Sequence, residues 1–209
     1  MPAPSDLIYE DAATGRMAER TLVAYERRDG YDLHYAHDGG DLRDVVGPDA
    51  PFGGSAERDG DAATAALRDR GVDVVDPHDG TVVDRVPMAR GFAWERVVAD
   101  LGCRMYDWCI RVARDWTVTA FLVLFFGLGD RGGVDRDPRG DGALLALGAH
   151  EGRAATVRAR GWFEGVKSAT ADGLRAGLYD EATARAYLAG RVRSFAAERE
   201  VHVGAPSVT

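Results

Sequence analysis

Two histidines and two aspartates in the first quarter of the chain have the residue types and spacing to bind a metal. His34 and His37 are followed by Asp38 and Asp41. Two imidazoles and a carboxylate can hold an open-sited transition metal, as in a small hydrolase-type enzyme. On a strand, however, residues three apart face opposite ways, so the histidines converge only if the strand ends near Ala36. The alternative places both histidines on a wet strand face and a turn.

A second candidate for chemistry is a charged group in the C-terminal half. Arg160, Glu164 and Lys167 have the i,i+4 and i,i+3 spacing of helical ion pairs. Glu164 and Lys167 would form a catalytic pair only if burial perturbed their pKa values. A solvated face of ion pairs explains the same spacing.

A glycine motif follows an apolar run at 118–128. Gly127, Gly129 and Gly132 match the letters GxGxxG. A dinucleotide site also needs a helix to begin there, but the following residues are rich in Gly, Asp and Pro. We therefore predict a hairpin loop and no bound cofactor. Carboxylates in the same loop have oxygen ligands for Ca²⁺ but depart from the EF-hand spacing; they are Asp130, Asp135, Asp137 and Asp141.

Composition excludes several mechanisms and indicates a habitat. The chain has no Asn or Gln, and its only lysine is Lys167 against 25 arginines. Triads with Asn, and glutamines that position a water, are therefore impossible. The net charge of −8 and the excess of Asp favour a salt-rich cytoplasm, because carboxylates keep a surface hydrated. GC-biased codon usage gives a similar skew, and both causes indicate a haloarchaeon or a comparable halophile.

The alternation of apolar and polar residues predicts the strands that position these residues. Residues 21–26 and 31–37 flank Asp29-Gly30, a hairpin turn signal. Residues 106–112 alternate as a strand with one buried face. Thr117–Phe126 is apolar on both faces, which predicts a central strand covered on both sides. Residues 143–148 return as another strand, and 200–204 form a last edge strand.

Three helices follow from 3.6-residue periodicity, at 92–102, 154–176 and 180–198. Asp180 is the predicted N-cap of the last one. Eight arginines lie in or directly beside the two C-terminal helices, which raises the alternative of a nucleic-acid-binding protein. Phosphate attraction falls steeply with salt, so we do not expect nucleic acid as the partner in a saline cytoplasm.

The remaining segments set the boundaries. Residues 1–16 read as a disordered N-terminal extension, 17–204 as a single α+β domain, and 205–209 as a tail; Met1 and Met17 are both possible starts. Residues 38–90 form a long, loop-rich acidic insertion.

No signal peptide or membrane-spanning run is recognisable, which favours the cytoplasm. Cys103 and Cys109 would lie ~20 Å apart on one strand, so we expect reduced thiols.

Three motifs resemble a family of uncharacterised haloarchaeal proteins. They are the hairpin LVAYER-DG-LHY at 22–35, the strand Thr117–Ala120 that ends in Phe126–Leu128, and the helix segment Gly161–Gly165 with Lys167. The resemblance spans residues 17–204 and leaves 1–16 outside. It implies the same compartment and a start at Met17, and it transfers no catalytic residue.

Together these features predict an α+β fold in which an antiparallel sheet has its helices packed on one face, with a long acidic loop segment. Since the 117–126 strand needs cover on both sides, either the 38–90 segment or a second copy must cover the other face. We therefore expect a homodimer through the sheet face. No catalytic set is complete, so the expected function is a non-catalytic interaction or accessory protein, with a metal-dependent hydrolase at His34, His37 and Asp38 as the alternative.

Overall fold

The computed structural model describes residues 10–11, 16–17, 19–37, 42–53, 82–128, 139–148 and 151–204. Two short strands, β1 (Glu10–Asp11) and β2 (Arg16–Met17), pair with each other. Seven further strands form one sheet, in the order β5-β4-β3-β6-β7-β8-β9. They are β3 (Arg20–Arg27), β4 (Gly30–His37), β5 (Ala89–Phe92), β6 (Trp108–Val112), β7 (Val118–Phe125), β8 (Gly142–Leu147) and β9 (Val201–Val203). The helices are α1 (Leu42–Val45), α2 (Trp94–Asp100), α3 (Arg153–Arg175) and α4 (Glu181–Ala196).

The hairpin of β3 and β4 depends on the glycine in its turn. The two strands pair from Arg20 opposite His37 to Arg27 opposite Gly30. Gly30 has φ +127°, and a Cβ there would lie 2.8 Å from backbone atoms of Gly91 and Phe92. Only glycine tolerates both the dihedral angle and the close approach. The Asp-Gly signal in the sequence thus marks the point where β5 crosses beside the turn.

The strand β7 is the predicted central strand, and the structure confirms it. It pairs with β6 on one side and β8 on the other. Ala120, Leu122 and Leu124 belong to the core on one face, and Phe121 and Val123 to the core on the other. All five side chains are buried, as expected for a strand that is apolar on both faces.

One pair in the sheet is parallel, which alternation alone does not predict. β3 and β6 run side by side in the same direction, with Tyr25 opposite Val112. A parallel pair needs a long crossover, and residues 28–107, with β4, β5 and α2, supply it. The sheet is therefore mostly antiparallel, and the α+β fold class is confirmed.

The helices divide between the two faces. α3 and α4 pack on one face through Ala159, Phe163, Leu188 and Val192. α2 packs on the opposite face through Val97 and Val98, whereas the sequence placed all three helices on one side. The reason is the crossover, which carries α2 over the second face before β6 begins. This face is therefore covered from within the chain, which removes the reason for expecting a second copy on it.

The sheet curls around α2. The Trp94 ring lies 5.3 Å from the ring of Tyr31 on β4 and 5.4 Å from the ring of His202 on β9. These strands are five positions apart, which would be ~24 Å in a flat sheet. We call the side that faces α2 the concave face.

Part of the predicted loop segment 38–90 has regular structure. It contains α1, the edge strand β5 and a bridge between Ala36 and Val83. Leu42 and Val83 are fully buried. The sequence also predicts a short helix at 61–70, with Asp61 as its N-cap; this segment lies outside the described residues, as does nearly all of the predicted extension 1–16. None of the helices in the described ranges combines the length and apolar character that a bilayer crossing requires.

Candidate functional site

His34 is buried inside the core rather than on a wet face. It is 2 % exposed, and its Nδ1 lies 2.7 Å from the backbone oxygen of Asp84. Since a carbonyl oxygen only accepts, Nδ1 carries the proton. Rings of Tyr25 and Phe52 lie 5.1 and 5.6 Å away. Its Nε2 is buried and has no hydrogen-bond partner among the described residues, and burial lowers its pKa.

The other proposed metal ligands do not join His34 in the described part of the chain. The strand β4 continues through His37, so this side chain lies on the opposite face, where its ring stacks edge-on against Tyr35 at 4.7 Å. Asp38 and Asp41 lie outside the described residues. Within the described ranges, no group of three or more His, Cys, Asp or Glu side chains could hold a metal ion.

The Glu164 and Lys167 pair lies on the surface of α3. Their charged atoms are 3.9 Å apart, and the Glu164 side chain is 66 % exposed. The Lys167 ammonium lies 5.1 Å from the centre of the Phe125 ring. Arg160 contacts Glu19 and Asp107 instead, at 3.6 and 3.7 Å.

The structure describes part of the predicted glycine- and aspartate-containing loop, and both cysteines. Of the glycine motif, Gly127 is described, with φ +59°. Of the four loop aspartates, Asp141 is described, and it pairs with Arg185 at 2.6 Å. Cys103 and Cys109 are buried free thiols, and burial raises the pKa of each to about 12.

The C-terminal helices present less free positive charge than their arginine count suggests. Within the described residues, four of the eight arginines from 153 to 199 form ion pairs with carboxylates, namely Arg160, Arg175, Arg185 and Arg199.

A polar cluster lies on the concave face next to β9. We call it the Trp94 cluster: Trp94 from α2, Arg111 from β6, Glu200 before β9 and His202 within β9. Arg111 donates two hydrogen bonds of 2.8 Å to the two oxygens of Glu200. Its guanidinium lies 5.1 Å from the centre of the Trp94 ring and 5.2 Å from that of Phe121. The side chains of Arg111 and Glu200 are 22 % and 40 % exposed, so the cluster is open to solvent.

The two contacts of His202 Nε2 show which neighbour receives its hydrogen bond. His202 Nε2 is 2.7 Å from Glu200 Oε1 and 3.2 Å from Trp94 Nε1. One nitrogen cannot donate to the carboxylate and accept from the indole at once. The shorter contact to a charged oxygen is the stronger, so Nε2–H donates to Glu200. The bond from Arg111 is the main reason that the pKa of Glu200 is lowered.

Beside this cluster, the outer edge of β9 is open. Glu200 O accepts from Ala146 N, and Gly204 N donates to Gly142 O, so these groups point towards β8. Because backbone groups alternate along a strand, the N–H and C=O of Val201 and Val203 point away from β8. In the described part of the chain, no hydrogen bond uses these four groups.

Sequence reasoning missed the Trp94 cluster. Its four residues come from positions 94 to 202 and share no motif. The only signal was the alternation of 106–112, which placed a charged residue, Arg111, on a strand next to the central strand. The glutamate and the histidine that contact it become visible only once the pairing of β8 with β9 is known.

Comparison with known proteins places the chain in a family. A model of a family of unknown function, DUF6735, matches residues 17–203. Neither the curated proteins nor the solved structures gave a match. The match begins at Met17 and covers the whole seven-stranded sheet with its helices. The chain therefore belongs to the DUF6735 family of unknown function.

Proposed function

We propose that this protein is a non-catalytic interaction protein, and that it acts as a homodimer in which β9 pairs with β9 of a second copy. The observation that supports this most is the open backbone edge of Val201 and Val203 beside the Trp94 cluster. Strand addition to an open edge is a common mode of recognition, because backbone bonds give affinity and neighbouring side chains give specificity.

The edge is complementary to itself. Around a two-fold axis at His202, Val201 of one copy faces Val203 of the other in an antiparallel pair. Each copy offers two donors and two acceptors there, which fits the hydrogen-bonded pairs of an antiparallel ladder. A two-fold interface requires this self-complementarity.

Backbone bonds alone are not sufficient for a stable dimer, because each contributes about 0.5–1.5 kcal/mol net. The side chains on the concave face must supply the rest. Trp94, Arg111 and Tyr31 are of the residue types that dominate binding energy at interface centres. All three are partly exposed, and they are positioned by the sheet and by α2.

The acidic, almost lysine-free composition supports a halophilic, cytoplasmic setting for this function, so the experiment belongs in molar KCl. We expect sedimentation equilibrium to give a dimer for the unaltered protein. Val203→Pro removes an outward N–H and leaves the bonds of β8 to β9 intact, since proline is tolerated on edge strands. We expect this variant to be a monomer with an unchanged far-UV spectrum.

Val203→Thr is the matched control, because it keeps the outward N–H and the β-branched shape. It should dimerise like the unaltered protein. A monomer for the unaltered protein at tens of micromolar, or a dimer for Val203→Pro, would exclude pairing through this edge.

A further inference from the structure

The one parallel pair of the sheet has an opening at its carboxyl end. After β3 the chain turns away towards β4, and after β6 it turns the opposite way, towards β7. Where neighbouring parallel strands send their chains in opposite directions, nothing fills the space just beyond them. In open sheets such a point is a recurrent ligand site.

A crevice of about 120 Å³ lies at this point. It is lined by Tyr25, Glu26 and Arg27 from the end of β3, and by Val112, Arg114 and Trp116 from the end of β6 and the turn after it. One water molecule occupies ~30 Å³ in the liquid. The crevice therefore has room for a few water molecules or for a small organic ion.

Trp116 has a strained backbone at this crevice. Its φ is +67°, a conformation that a residue with a side chain rarely adopts. It closes the turn from β6 to β7, where Trp116 N donates to Ala113 O at 2.9 Å and Ala113 N to Thr117 O at 2.9 Å. Glycine is the ordinary residue at such a position. The indole of Trp116 packs on the core and forms part of the crevice wall.

Two guanidinium groups at the crevice have long ion-pair distances to their carboxylate partners among the described residues. Arg27 Nε is 3.4 Å from Asp32 Oδ2, and Arg114 Nε is 3.7 Å from Glu26 Oε1. Charge-assisted bonds of this kind are normally 2.7–2.9 Å long. Arg114 Nη2 donates to the backbone oxygen of Arg27 at 2.7 Å, which holds it across the crevice. The lining thus has two cations against one carboxylate, that of Glu26.

We propose that this crevice binds a small organic carboxylate, whose oxygens accept from Arg27 and Arg114 and whose flat or apolar part lies against Trp116. Guanidinium forks match the geometry of a carboxylate, and an indole face suits an apolar group. The site is independent of the dimer edge, since none of its lining residues belongs to β9 or to the Trp94 cluster.

The test is a titration of the ¹⁵N-labelled protein with potassium benzoate at constant molar ionic strength, followed through the arginine Nε resonances. We expect saturable shifts at Arg27 and Arg114, and smaller ones with potassium acetate, which lacks the ring. Arg114→Ala should raise the benzoate dissociation constant at least tenfold, measured at Arg27. Arg193→Ala, an exposed arginine on α4, should leave it unchanged.

Each other outcome would overturn the proposal. Shifts that rise linearly without saturation, or equally at Arg193, would mean that benzoate acts only as an ion in solution. Equal binding by Arg114→Ala would place the ligand elsewhere. Equal shifts with benzoate, acetate and inorganic phosphate would mean an unselective anion site and exclude a role for Trp116.

Discussion

The imidazole of His34 lies beside two aromatic rings and has a single hydrogen bond to the described residues. Its proton is on Nδ1 and bonds to the Asp84 oxygen, while Nε2 faces the core without a partner in the described chain. A second proton would place a charge among Tyr25 and Phe52, which is costly at low dielectric constant. His34 is therefore a residue that the fold keeps neutral.

From this follows a pH dependence of stability. Burial lowers the pKa of His34 in the folded state below the ordinary 6.5. Below pH 6.5 the unfolded chain takes up a proton that the folded chain resists, so stability is full above about pH 6.5 and falls as the pH drops. We expect the melting temperature to decline from pH 7 to 5.5, and His34→Phe to flatten that decline.

The matched control is His37→Phe, on the same strand but on its opposite, partly exposed face. That variant should keep the decline of the unaltered protein. If His34→Phe and the unaltered protein lose stability in parallel over this range, then His34 is not the group responsible.

The two cysteines predict a second measurable property. Because burial raises the pKa of Cys103 and Cys109 to about 12, almost no thiolate exists at pH 8, and the thiolate is the reactive form. We expect the folded protein to react with a thiol reagent only at its rate of opening, and two thiols to react at once after unfolding. A rapid phase in the folded protein would contradict the burial of at least one of them.

At the scale of single elements, cap and periodicity signals predicted the C-terminal half well. Asp180 is the N-cap of α4, and its carboxylate accepts from Thr183 N at 2.7 Å. Loss of such a cap leaves a backbone N–H at the helix start without its acceptor and destabilises the helix. We expect Asp180→Ala to lower the melting temperature by several degrees, and Asp180→Ser to restore most of it, as measured by thermal unfolding in molar KCl.

Asp172 serves as the control for the cap prediction. It is an exposed aspartate of α3 that pairs with Arg175, and surface pairs contribute little. Asp172→Ala should therefore change the melting temperature much less. Equal effects from the two variants would mean that general surface charge, and not capping, determines the stability of α4.

Elements whose pattern is local were predictable, and those whose place depends on pairing were not. β7 was recognisable because apolar residues on both faces require a central strand. The burial of His34 was not, since polar alternation in β4 resembles a wet face and the residues that contact it, Phe52 and Asp84, come from a loop-rich stretch. The sheet face on which α2 packs was not predictable either. Periodicity shows that a helix has an apolar side, but it does not show which face of the sheet that side packs against.

The Trp94 cluster and the β3–β6 crevice were beyond sequence reasoning for a related physical cause, since both assemble from residues that are distant along the chain. The crevice forms only when the parallel crossover brings β6 beside β3, and the Trp94 cluster only when β9 pairs with β8 and α2 packs on the concave face. The metal ligands proposed from the sequence, by contrast, were close along the chain. Closeness along a strand does not mean convergence, since His34 and His37 lie on opposite faces of β4.

At the scale of the whole molecule, α2 covers the concave face of the curled sheet, whereas the outer edge of β9 has no backbone partner in the described part of the chain. β5 ends one side of the sheet and carries a bulge against β4, which disfavours further pairing there. β9 ends the other side, with regular pairing to β8 and the Trp94 cluster beside it. The asymmetry of the two edges is the reason that the proposed dimer is placed at β9.

Amide hydrogen exchange along β9 tests this account most directly. His202 N–H points towards β8 and should be protected at every protein concentration. Val201 and Val203 N–H point outwards, so we expect protection at high concentration that is lost on dilution below the dissociation constant of the dimer. If both valine amides exchange freely at all concentrations while His202 stays protected, the edge has no partner copy and the proposed dimer is wrong.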